Sequence, residues 1–130
     1  MDSHAYLNTI KLKLATSPSV SDAEILQEWG MDDKGFFRAR LRLANGDFVE
    51  VAEFFMIDQD EMRTIEYRYQ WMDSMRQVLR KRWDNAPHHS GLPNFPHHVH
   101  VKDEKRIEVG VPMSIVELID LLEQELGGPL

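Results

Sequence analysis

Asn45-Gly46 lies between two runs in which apolar and polar side chains alternate, residues 36–44 and 47–57. Two strand-like runs joined by Asn-Gly form the strongest short-range hairpin signal, because both central residues of a type I′ turn require positive φ. Such a turn sets Ala44 opposite Asp47. One face then carries Phe37, Ala39, Leu41, Leu43, Phe48, Ala52 and Phe54, and the other Arg38, Arg40, Arg42, Val49, Val51 and Glu53, with Arg38 opposite Glu53.

The hairpin extends into a meander. Residues 64–71 alternate again, Ile65, Tyr67, Tyr69 and Trp71 against Glu66, Arg68 and Gln70, and the aromatic and β-branched content makes this a strand. Asp73-Ser74 turns the chain into residues 76–84, and His98-Val99-His100-Val101 reads as a short returning strand. At the C-terminal end, Ser114-Ile115-Val116-Glu117 is a capping box, followed by Ile115, Leu118, Ile119, Leu122 and Leu126 at helical spacing. Residues 4–15 suit a helix that Ser17-Pro18 breaks. Residues 21–29 fit either a capped helix or a strand with Ile25, Gln27 and Trp29 on one face. The expected fold is a single α+β domain over residues 1–130, an antiparallel β-meander with the N- and C-terminal helices packed on one face.

Length and composition narrow the function. A chain of 130 residues can bury a core without staples, and the absence of cysteine removes disulfides, thiolate metal sites and cysteine nucleophiles. No apolar run approaches a membrane span and no leader pattern is visible, so a soluble, cytoplasmic protein with no membrane partner is expected. The net charge is −7, unevenly spread: residues 34–82 carry 10 basic and 8 acidic side chains, while both flanks are acidic. An anionic substrate belongs in the middle segment.

Chemistry points to residues 82–101, which hold five of the six histidines and three of the six prolines. His98 and His100, two apart in an extended segment, face the same way. Metal-independent RNA cleavage needs a base for the ribose 2′-hydroxyl, an acid for the leaving oxygen and a cation for the phosphate. His98, His100, Arg82, Glu53 and Asp84 supply the catalytic types. Arg38, Arg40, Arg42 and Arg80 are the phosphate-binding candidates, and Tyr67 and Tyr69 the base-stacking ones. No cofactor is expected. A metal held by His88 (or His89), His98 and His100 is the less favoured reading, because the spacing matches no zinc motif. A non-catalytic binding module, whose His/Pro loop docks a protein or a metal, is the alternative from a different class.

The run Arg82-Trp83-Asp84-Asn85-Ala86-Pro87-His88-His89, then Phe95-Pro96-His97-His98-Val99-His100, preceded by Asn45-Gly46, Val49-x-x-x-Glu53 and Tyr67-x-Tyr69, resembles the TumE-type toxins of prokaryotic toxin–antitoxin modules. The similarity runs from about residue 37 into the C-terminal helix. Position 83 in that family is more often tyrosine; Trp83 keeps the ring and loses the hydroxyl. The resemblance implies a growth-inhibiting cytoplasmic protein neutralised by an antitoxin, usually one with a helix-turn-helix domain. RNA is the expected substrate, and an exposed sheet edge or the aromatic strand would support a homodimer.

Overall fold

The computed structural model describes residues 1–87, 94–103 and 106–127. Helix α1 (Ser3–Thr16) is followed by strands β1 (Val20–Gly30), β2 (Lys34–Leu43), β3 (Phe48–Asp58), β4 (Glu61–Met72), β5 (Leu79–Asp84), β6 (His98–Val101) and β7 (Ile107–Val109), then helix α2 (Ile115–Gly127). The strands lie in the sheet in chain order, every neighbouring pair antiparallel. This is the expected α+β meander.

Local chemistry sets the ends of both helices. The Asp2 carboxylate accepts from Ala5 N at 2.8 Å and starts α1, and Ser17 closes it ahead of Pro18. At α2 the capping box is complete: Glu117 N donates to Ser114 Oγ and Ser114 N to the Glu117 carboxylate, at 3.2 and 3.1 Å. Tyr6, Leu7, Ile10 and Leu14 of α1 and Ile115, Leu118, Ile119 and Leu122 of α2 pack on Phe37, Leu41, Val49, Val51, Phe55 and Tyr69 of the sheet, all buried. Each such side chain contributes about 1.5–3 kcal/mol by leaving water. Both helices cover one face, and among the described residues the other has no helix on it.

The register of the first hairpin differs from expectation by one residue. Leu41 pairs with Val49 and Arg38 with Ala52, because the loop has three residues rather than two. Gly46 N donates to Leu43 O and Leu43 N to Asp47 O, and Gly46 alone takes positive φ, +93°. The turn is therefore type I with a glycine bulge. One extra residue exchanges the faces of β3. Val49, Val51 and Glu53 go to the helix side, whereas Phe48, Ala52 and Phe54 go to the open face.

Residues 21–29 form a strand. Its side chains are exposed along almost its whole length, since β1 is an edge strand with bulges after Val20 and Ile25. No alternation of burial exists there for a sequence pattern to reflect.

Candidate functional site

Strand pairing places the chemistry. Antiparallel partners point the same way, so Arg38 (β2), Ala52 (β3), Arg68 (β4), Asp84 (β5) and His98 (β6) form one row across the open face. Arg40, Glu50, Gln70, Arg82 and His100 form the next. The rows end in a cluster of Arg82, Asp84, His98 and His100, each at most 9% exposed. Trp83, between Arg82 and Asp84, points to the helix side and is buried in the core. A hydroxyl at position 83 would lie on the wrong side of the sheet for this cluster.

Asp84 is the hub. Its Oδ1 lies 2.8 Å from His98 Nε2 and accepts from Ala86 N at 3.1 Å, while Oδ2 lies 3.3 Å from Arg82 Nε and 3.8 Å from His100 Nε2. His98 Nδ1 donates to the Pro96 carbonyl at 2.9 Å, which turns Nε2 to the carboxylate. The imidazoles meet edge to face, centroids 4.9 Å apart. Asn85 holds the end of β5 in place, accepting from Tyr67 N and donating to Ile65 O as another strand residue would.

A cleft of about 550 Å³ opens beside the cluster. Arg82 and Asp84 form one wall, Phe36, Ala52 and Phe54 the apolar floor, and Glu66 and Arg68 the rim. Arg68 reaches Gln70 Oε1 at 3.1 Å and, among the described residues, meets no carboxylate. It is a cation held in reserve beside the cluster.

Not all the expected site residues converge here. Glu53 lies on the opposite face, fully buried, accepting from Tyr6 Oη (2.8 Å), Thr64 Oγ1 (2.5 Å) and Ile115 N (3.2 Å). Burial raises its pKa, against the lowering effect of the three donors. Placing Glu53 beside the histidines and opposite Arg38 is thus corrected by the hairpin register. Arg38 instead bonds Glu50 at 2.6 Å, and Arg40 approaches Glu50 at 3.9 Å. Arg80 is tied to Asp47 at 2.6 Å, and Arg42 lies over the Phe48 ring, 4.8 Å from its centroid.

Tyr67 and Tyr69 also point away from the open face. Their hydroxyls donate to Val111 O (3.1 Å) and Met113 O (2.9 Å), leaving neither ring exposed for stacking. Burial, and for Tyr67 the Asp84 charge, push both phenols above their usual range. His97 stacks on Tyr67 on that side; burial and then the neighbouring His98 lower its pKa. His88 and His89 lie outside the described residues. Phe36, Phe54 and Arg68 were not singled out by sequence reasoning, and only the correct register of β2, β3 and β4 brings them beside Asp84.

A single carboxylate oxygen of Asp84 and the ring nitrogens of His98 and His100 lie within 4.8 Å of one another, close enough to share a cation. The Arg82 guanidinium already puts positive charge on Asp84. Among the described residues no helix is long and apolar enough to cross a membrane.

The family model described as Toxin TumE matches residues 10–127. No curated protein and no solved structure matches the chain.

Proposed function

The chain belongs to the TumE toxin family, with the toxin role and antitoxin partner that membership carries, and on that premise we propose that it inhibits growth by cutting RNA without a metal. The carrying observation is the convergence of His98, His100 and Arg82 on Asp84, with Arg82 and Asp84 forming the wall of a cleft rimmed by Arg68.

Both nitrogens of His98 face protein oxygens, so His98 acts on Asp84. That leaves His100 and Arg82 to address substrate. In the proposed step the ribose 2′-oxygen attacks the adjacent phosphorus and the 5′-oxygen leaves. His100 takes the 2′-hydroxyl proton and then returns it to the departing oxygen, while the His98–Asp84 pair holds its ring in place. Arg82 and Arg68 balance the charge that builds on the phosphoryl oxygens. The products are a 2′,3′-cyclic phosphate and a 5′-hydroxyl.

The guanidinium on Asp84 supports the metal-independent form, because it supplies the charge a cation would bring. A chelator arm decides it. Purified protein is incubated with RNA, with and without chelator, beside His98→Ala and His100→Ala. Cyclic phosphate ends that form regardless of chelator and vanish in both variants are expected. No cleavage, or cleavage surviving in both variants, overturns the reading. The antitoxin's helix-turn-helix domain and a homodimer stay with the proposal; co-purification with the neighbouring gene product and light scattering test them.

A further inference from the structure

One more row on the open face is unexplained by the cluster. Register pairing aligns Trp29 (β1), Phe36 (β2), Phe54 (β3) and Glu66 (β4) directly beside the row that runs from Arg38 to His98. Trp29 and Phe54 rings lie 6.3 Å apart, planes inclined at 42°. Phe36 and Phe54 floor the cleft, and Trp29 is 36% exposed. Among the described residues no element covers this face, and three aromatic rings in line on it form an apolar patch of the kind that marks a binding surface.

The row beside them has the opposite character. Arg68 and Arg82 line the cleft and Arg38 lies at the far end of the same sheet surface. Arg68 meets no carboxylate among the described residues. The two rows run side by side across β2, β3 and β4, about 10 Å or two strand spacings. Arg38 and Arg68 beside the three rings, with Arg82 one row further on, match a polymer with phosphates along one edge and flat apolar faces along the other.

We propose that the open face binds an unpaired RNA strand, its bases on Phe54, Phe36 and Trp29 and its backbone along Arg82, Arg68 and Arg38. The inference rests on the cleavage reading and names its substrate class. Stacking requires bases freed from pairing, so duplex RNA is excluded from the aromatic row. The base that enters the cleft is adjacent to the phosphate presented to Arg82 and His100. Glu66, exposed at the cleft rim and without a hydrogen-bond or ion-pair partner among the described residues, offers two acceptor oxygens to that base. A guanine, with N1–H and N2–H donors side by side, complements it best.

The test measures binding apart from cutting. Fluorescence anisotropy uses a labelled oligonucleotide with 2′-fluoro sugars, which has no attacking hydroxyl, single-stranded or annealed to its complement, against the full-length wild type and Phe54→Ala, Phe54→Tyr and Trp29→Ala. Loss of a stacked base costs about 1–3 kcal/mol, roughly 5- to 150-fold in affinity. The expected result is tighter binding of the single strand than of the duplex, a loss in that range for Phe54→Ala, and recovery in Phe54→Tyr. Equal binding of single strand and duplex, or unchanged binding by both alanine variants, overturns the proposal. So does loss confined to antitoxin binding, which would make the face a protein interface. Binding that behaves as expected in a protein that fails to cut RNA refutes only the cleavage reading; cutting with indifferent aromatic variants refutes only this one.

Discussion

Glu53→Ala and Glu53→Gln separate two accounts of the buried carboxylate. Glu53 joins three elements inside the core: Tyr6 in α1, Thr64 in β4 and Ile115 at the start of α2. In the alanine variant the Tyr6 hydroxyl and the Ile115 N–H lose their acceptor inside the core. Each orphaned donor costs about 1–3 kcal/mol, together about 4 kcal/mol, while Thr64, only partly buried, turns to water. For a chain of this size that lowers Tm by roughly 10–20 °C. The glutamine variant keeps the shape and removes the charge. Burial raises the folded pKa of Glu53 above its ordinary 4.5. Its contribution is therefore complete below about pH 4.5 and is lost as pH rises through the folded value. Glutamine has no such loss, so the Tm of Glu53→Gln relative to wild type should climb as pH rises from 4 to 8 in circular-dichroism melts. A relative Tm that falls with pH would refute the argument, since it would mean that the three donors hold the carboxylate charged against burial. Both variants should cut RNA at the wild-type rate at temperatures where they are folded.

Three further outcomes follow from the geometry. A Cβ at Gly110 would sit 2.6 Å from His98 N and 2.8 Å from its Cα, so Gly110→Ala should displace β6 and reduce RNA cleavage at least tenfold with the melting transition still cooperative. Asp47→Ala removes the acceptor for Trp71 Nε1 (2.9 Å) and the partner of Arg80; a loss of about 2–4 kcal/mol in urea unfolding and a shifted tryptophan emission are expected. Gly46→Ala places a side chain at φ +93° and should cost about 1–2 kcal/mol by the same assay without altering cleavage.

How far the sequence could be read depended on whether each signal was local. The α2 capping box and the period-two facing of His98 and His100 involve residues within four positions of each other, and both describe what is found. The Asn45-Gly46 turn was legible as a turn but not as to type, and its one bulged residue moved Glu53 from the arginine face to the core. Tyr67 and Tyr69 were grouped correctly with Trp71, yet only the packing of the 111–113 segment shows their hydroxyls to be consumed. Asp84 meets His98 because β5 and β6 pair in one register. No pattern within either strand encodes that pairing.

The order of the strands has a consequence for synthesis. Each strand's neighbour in the sheet is the one translated just before it, so the sheet can grow as the ribosome delivers it. Contacts of short sequence separation form fastest. Strands β1 to β4, which carry Trp29, Phe36, Phe54, Arg38 and Arg68, leave the ribosome ahead of β6, which carries His98 and His100. Asp84 gains its histidine neighbours only when β6 is added. On the cleavage reading proposed above, the histidines are thus the last part of the site to reach the sheet, and the strands that an antitoxin could meet first are those that carry no histidine.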